Sequence, residues 1–254
     1  MQAWKSQNLC LLLLAGVLIF ASMPLHAAER PTIARIDQLK GEAQIRAANG
    51  KRFAAEDGIR VGIGDLIKTR KDSTLLLWLD DGSIFTVAPQ STLIVDQFRH
   101  KPGETVDMQA RFLSGGFQFR SGPGLEGETN RSIRMDSITA EVDDDSILAV
   151  MDRNSTVVLL DGETTLNAGP LNTDSLNTGR GIQKLDKRNQ AVSIDSVGNF
   201  AEPMVLDEDS VRAIGDEIGI ALTLPEAEKT PPPAKTDRPM QLRCTVQYGT
   251  VLCS

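Results

Sequence analysis

From Pro31 to about Gly198, short apolar runs alternate with Gly, Asp and Asn at intervals of roughly 8 to 12 residues, the rhythm of an all-β domain. Thr74-Leu75-Leu76-Leu77-Trp78-Leu79 is apolar at consecutive positions. Successive strand residues point to opposite faces, so this run predicts a strand buried on both. Asp80-Asp81-Gly82-Ser83 then turns the chain, Ile84-Phe85-Thr86-Val87 returns it, and Pro89 closes the unit. A weaker echo, not enough to establish a repeat, comes later: Ser155-Thr156 opens Val157-Val158-Leu159-Leu160, Asp161-Gly162 turns, and Glu163-Thr164-Thr165-Leu166 follows. Glycine after aspartate suits such turns because it accepts a positive φ. The pattern predicts a β domain over 29–200, built as a β-sandwich or a short β-solenoid.

The pattern changes beyond it. Over 201–224, Asp207-Glu208-Asp209 precedes Val211, Ile214, Ile218 and Leu222 at helical spacing, and acids in a first turn favour the helix dipole. One short amphipathic helix is expected, its stripe packed back on the β domain. Segment 225–240, with Pro231-Pro232-Pro233, reads as a semi-extended linker. In the tail, 241–254, a two-residue loop at Tyr248-Gly249 would pair Gln247 with Thr250 and set Cys244 opposite Cys253. That register brings the α-carbons within disulfide range, so a Cys244–Cys253 bridge is expected. At the other end, Lys5 precedes an apolar run from Leu9 to Phe20, and small residues follow at Ala27 and Ala28. These are the parts of a secretory signal peptide over 1–28, with an apolar run shorter than the roughly 20 residues of a membrane helix. Cleavage near Ala27 or Ala28 would leave a protein in the periplasm or secreted, an oxidising setting that suits the bridge.

Composition narrows the function classes. With 27 Lys and Arg against 34 Asp and Glu, the formal charge is -7, a poor match for nucleic acid or for an anionic membrane surface. Of two histidines, His26 lies in the expected signal, leaving His100 in the polar stretch Arg99 to Gly103, which reads as a turn. One histidine cannot build a multi-histidine zinc site and leaves little for a His-based triad. Asp80-Asp81 and Asp143-Asp144-Asp145 are the densest acids, but neighbours along a strand face opposite ways and supply no facing carboxylate pair. No calcium-loop spacing follows Asp143 to Asp145, which reads as a solvated acidic turn. Gly58, Gly62 and Gly64 lack the Lys-Ser/Thr ending of a phosphate loop. No cofactor, metal or catalytic residue is expected.

The segment from Ile33 to Ser121 resembles the FecR domain, named for the periplasmic sensor of ferric dicitrate uptake. Gly41-Glu42-Ala43-Gln44-Ile45 is similar to its opening strand. The run from Gly58 through Gly64-Asp65-Leu66-Ile67-Lys68-Thr69 is similar to its G-x-x-(L/V)-x-x-GD-x-(I/L)-x-T signature. Leu75 to Leu79, Asp81-Gly82-Ser83 and Pro89 follow at the family's separations. Further on, Ile133 to Val142 stands where the family often carries R-G-T, and lacks it, whereas Leu160-Asp161-Gly162-Glu163 is similar to a later family turn. FecR-type transducers reach a sigma factor through a cytoplasmic N-terminal segment and a membrane helix. This chain resembles the sensor module detached from both.

The resemblance implies a non-catalytic envelope domain that binds a protein or a ligand. Gly58, Gly64, Asp65, Thr69, Asp81, Gly82, Ser83 and Pro89 would then be fold-determining, with Asp65 and Thr69 satisfying turn backbone. The expected function is an exported module, not an integral membrane protein, for protein interaction or signal sensing in the Gram-negative envelope. Its partner would be an envelope protein, contacted through Arg99, His100 and Lys101. The alternative is a structural component of an envelope or extracellular assembly, with linker and tail as tether. A glycan hydrolase would need a carboxylate pair that the pattern does not supply.

Overall fold

A computed structural model describes residues 31–101, 105–122, 129–169 and 181–222, together with the backbone of 244–247 and 250–253. The expected signal peptide and the Pro-rich linker lie outside the described residues. The first compact unit, ending at Ala221, is all-β apart from one helix, and one strand organises it. This strand, β9 (Val106–Arg120), is 15 residues long and belongs to two sheets in turn. Val106, Met108, Ala110 and Phe112 face the core in its first half, and Phe117 and Phe119 in its second. The change from even to odd numbering happens at Gly115-Gly116. Gly115 has φ 86°, and a Cβ there would lie 2.8 Å from Ser91 Cβ, so only glycine allows the shift in phase. Both halves thereby keep their large side chains inward while the strand passes from one layer to the other.

The first sheet runs β3 (Arg52–Ala54), β2 (Ala43–Arg46), β5 (Leu66–Thr69), β8 (Thr92–His100) and the first half of β9. It continues through β10 (Thr129–Met135), β11 (Ile138–Val142), β14 (Thr164–Ala168) and β15 (Ile182–Leu185). The second runs β4 (Arg60–Gly62), β1 (Thr32–Lys40), β6 (Thr74–Leu79), β7 (Ile84–Val87) and the second half of β9. Then come β12 (Ser146–Met151), β13 (Ser155–Asp161), β16 (Gln190–Ile194) and β17 (Met204–Val205). Among the described strands every pairing is antiparallel except β9 with β10. The layers face one another: Phe85 of β7 lies 5.7 Å from Phe112 across the core, and Phe112 stacks on Phe117 at 3.8 Å. Of the two expected architectures, this is the sandwich.

Two expectations are corrected here, and the sequence echo is shown not to be a structural repeat. Strand β6 is not buried on both faces. Leu75, Leu77 and Leu79 enter the core, whereas Leu76 is half-buried and Trp78 is 44% exposed on the outer face. The second Asp-Gly unit echoes the first in sequence but not in topology. Asp80 to Ser83 makes a hairpin within one sheet, but Asp161-Gly162 carries the chain from β13 into the other sheet, where β14 pairs with β11 and β15. Gly82 and Gly162 both have φ 84°, so the dipeptide sets the local bend without choosing the next partner strand. Last, Gly41 at φ 82° is a turn residue, and the strand expected from Gly41 begins at Ala43.

The helix, α1 (Glu208–Glu217), has Asp207 as N-cap, its carboxylate accepting from Ser210 N at 2.7 Å. Gly219 at φ 74° ends it, with Ile220 N donating to Gly215 O at 2.8 Å. At its start Leu206 N donates to Asn189 O, and Glu208 pairs with Arg188 beside β16. At its end Ile218 Cδ1 sits where a Gly116 side chain would be, and Gly219 meets Pro89. These anchors lay the helix across the outer face of the second sheet, over β13 and β12.

The second compact unit contains the hairpin β18 (Cys244–Gln247) and β19 (Thr250–Cys253). Its register sets Cys244 opposite Cys253 and Gln247 opposite Thr250. The side chains, and so the expected bridge, lie outside what the structure describes.

Candidate functional site

The polar residues of the signature point inward and bond backbone. Asp65, tucked under the turn after β4, accepts from Ala48 N and Gly62 N, both at 2.9 Å. Thr69 donates to Ala88 O at 2.6 Å and accepts from Ser91 N at 2.9 Å, tying β5 to the loop containing Pro89. Gly58 and Gly64, at φ 83° and 76°, make the bends on either side of β4. Each group replaces backbone partners that a ladder would have supplied.

Asp81 and Ser83 do more than close a hairpin. Asp81 accepts from Ser83 N and Ser83 Oγ at 3.0 and 2.8 Å, and from Arg131 Nε of β10 at 3.1 Å. The Arg131–Asp81 pair is fully shielded from solvent. Arg131 Nη1 also donates to Asp143 O at 2.7 Å, while Nη2 has no partner among the described residues. Ser83 Oγ accepts from Gly122 N at 3.0 Å. Next along the chain, Ser121 Oγ accepts from Asp145 N at 3.1 Å, and Ser121 N donates to Asp145 O at 3.0 Å. These contacts form a ring, from Asp81 through Ser83, Gly122, Ser121, Asp145, Asp143 and Arg131 back to Asp81. It joins the β6–β7 turn to the end of β9, to β10 and to the β11–β12 turn.

The solvated acidic turn expected at Asp143 to Asp145 is corrected in one position. Asp143 and Asp144 are exposed, but Asp145 is 2% exposed and both its carboxyl oxygens lack a hydrogen-bond partner among the described residues. The neighbouring Thr164 hydroxyl donates to Glu141 O at 2.6 Å. Burial, with Asp143 and Asp144 adding repulsion, pushes the Asp145 carboxyl up to about 7, against the weaker opposing pull of nearby hydrogen-bond donors.

The stretch Arg99-His100-Lys101 is not the turn its composition suggested. Arg99 and His100 are the last residues of β8, opposite Asp107 and Val106 of β9, and only Lys101 lies beyond the strand. The His100 ring meets Phe98 edge-on at 6.4 Å. The three residues stay together at one end of the first sheet, with Arg99 and Lys101 exposed.

Two further surfaces were not read from the sequence. Where β9 changes layers, β10 and β12 diverge and leave a cleft of about 680 Å³. Its floor carries Leu113, 53% exposed, and Ser114; Arg134 and Asp136 line one wall, Met151 and Arg153 the other. Asp136 adopts φ 40°, a strained setting for a non-glycine residue. The phase break at Gly115-Gly116 was the available signal, since two strands must part where one strand changes sheet. The second surface is the outer face of β6 and its neighbours. Leu76 lies between Gln38 and Thr86, and Trp78 between Arg35 and Ile84. Among the described residues no three His, Cys, Asp or Glu side chains converge as a metal site, and no helix is long and apolar enough to cross a membrane.

Fold and surfaces together define an all-β sandwich domain whose signature polar groups serve the framework. No protein-family model and no curated protein matches the chain. It is similar to two crystal structures described as a "putative anti-sigma factor" from Parabacteroides distasonis ATCC 8503, at 2.50 and 1.65 Å resolution, each with 14% identity and a TM-score of 0.45. Each match covers 58% of this chain, and it spans 62% and 63% of those chains, about three-fifths of their length.

Proposed function

We propose that this chain is an exported, non-catalytic FecR-like module that binds a protein partner, or senses a signal through one, in the Gram-negative envelope. The ordered residues from Gly58 to Pro89 support the family reading, and a single structural observation carries the binding role. Trp78 stands 44% exposed on the outer face of the second sheet, beside half-buried Leu76 and Ile84. Trp is among the residue types most enriched where partners bury their contacts, and an outward Trp on a strand adds little to the core. The face lies inside the segment that resembles the family.

The test is photo-crosslinking in cells from a light-activated amino acid placed at Trp78 of the tagged full chain, followed by mass spectrometry. One envelope protein captured at this position, and not from a probe at exposed Asp37, is the expected result. Links only between copies of this chain would overturn the reading in favour of a structural role.

A further inference from the structure

We infer that Asp145 is a proton-operated clasp: neutral, it holds closed the ring of hydrogen bonds that fastens the two sheets of the sandwich, and ionised, it opens that ring. The backbone of Asp145 is a link in the ring through Ser121, and its side chain decides whether the link stays buried.

The geometry leaves the ionised form with little relief. Both carboxyl oxygens are enclosed and make no hydrogen bond among the described residues; Thr164 and the backbone at Asp143 pull weakly toward the charged form, but the Thr164 hydroxyl is spent on Glu141 O. The turn is pressed against Gly162, where an added Cβ would come within 2.9 Å of Asp144 O and Asp145 Cα. The charged groups around it come from four places. Its own turn supplies Asp143 and Asp144; the strand crossing from β13 to β14 supplies Asp161 and Glu163; the end of β9 supplies Arg120, exposed and opposite Ser146; β10 supplies Arg131, committed to Asp81 and to Asp143 O. None of these bonds the carboxyl, and most share its sign. A buried carboxylate without a cation beside it and with few donors is among the costliest groups in a protein interior. It gains most by swinging the 143–145 turn into water. That motion draws Asp145 N away from Ser121 and Asp143 O away from Arg131, whose Nη2 is already unpartnered. Loss at one link therefore loosens the next, through Arg131 to the Asp81 turn of the second sheet.

The direction with pH follows. The carboxyl is raised from 3.8 to about 7 in the folded chain. Between those values the unfolded chain has lost the proton and the folded chain keeps it, so stability falls as pH rises across that window. Above about 7 both forms are ionised and this group adds no further change. The clasp is closed on the acid side and open on the alkaline side.

The experiment uses the full chain, free of any partner. Carbon-13 carboxyl NMR follows Asp145 itself, and amide hydrogen exchange, corrected for intrinsic rate, compares Ser83, Gly122 and Asp145 with core amides such as Leu77 at about pH 6 and about pH 8.5. The expected result is a carboxyl midpoint near neutrality and a loss of about tenfold in protection confined to the three ring amides. Asp145→Asn, neutral at every pH, should remove that loss. A carboxyl midpoint below about 5, in the ordinary range, would overturn the proposal whether or not the variant folds. So would equal pH dependence of the ring amides in wild type and variant.

Discussion

Strands β6 and β13 read alike in sequence, yet one outer face is covered and the other is bare. They even share a row across the second sheet: Ala191, Val158, Leu148, Gln118, Thr86, Leu76 and Gln38 stand side by side from β16 to β1. At the β13 end, Val158 and Leu148 are fully buried because α1 crosses above them. At the β6 end no described helix or strand lies over Leu76 or Trp78, which remain half-buried and exposed. An apolar outward position is thus a demand for cover, and the chain meets it once from its own helix. The other demand is met from outside, on the reading proposed above.

The largest expected effect separates the two ends of that row. Val158→Asp would place a carboxylate under the helix with no partner, costing on the order of 4 kcal/mol or more and leaving the chain largely unfolded. Leu76→Asp, the equivalent change at the bare end, should cost about 1 kcal/mol or less. Urea denaturation of both variants decides it. Equal costs would mean that the outer face of β6 is covered after all.

A second comparison sets the buried tie against its exposed neighbour. Asp81→Ala strands Arg131 in a solvent-free site and should cost about 3–5 kcal/mol. Asp80, one residue earlier, makes a bidentate pair with Arg60 at 2.7 and 2.8 Å, but on the surface, and Asp80→Ala should cost about 0–1 kcal/mol. If denaturation shows the two losses alike, the ring is not what joins the two sheets of the sandwich.

Much of this framework was legible because it is local. The Asp80 to Ser83 hairpin, the alternating strands and the spacing of Val211, Ile214 and Ile218 each depend on residues within a few positions. What the sequence did not show depends on distant pairing. Asp-Gly at 161–162 specifies a bend, not whether the next strand joins the same sheet. Arg131 shares its parity with buried Ile133 and Met135, and could have been read as an inward arginine in need of an acid; that the acid is Asp81 follows only from the packing of β9 beside both. Composition likewise could not say which of three consecutive aspartates turns inward. His100 looked like a loop residue because its neighbours are polar, yet β8 continues through it, since the ladder with β9 supplies the backbone partners that composition cannot reveal.

The helix itself gives a smaller effect. Ile218 is half-buried over Gly116, so Ile218→Ala should cost about 1–2 kcal/mol, less than a fully buried site. The loss should appear as faster amide exchange in α1 and at Leu148 and Val158, with Leu76 unchanged. Faster exchange spread evenly over the second sheet would mean that the helix is not a local cover.

The smallest effect on stability belongs to the residue on which the functional reading depends most. Trp78 contributes its outer face to solvent and sits between Arg35 and Ile84 in the ladder, so its removal opens no internal cavity. Trp78→Ala should therefore shift stability by less than about 1 kcal/mol. Interface hot spots behave differently: truncating a central Trp commonly costs about 2 kcal/mol or more of binding energy, a weakening of some thirtyfold. The same substitution should thus leave the urea midpoint nearly unchanged while partner capture falls away. A variant with full capture would remove this face from the interface and turn attention to the cleft at Leu113. A large drop in stability would show instead that β6 needs Trp78 for its fold, and that the two outer faces are less different than their exposure implies.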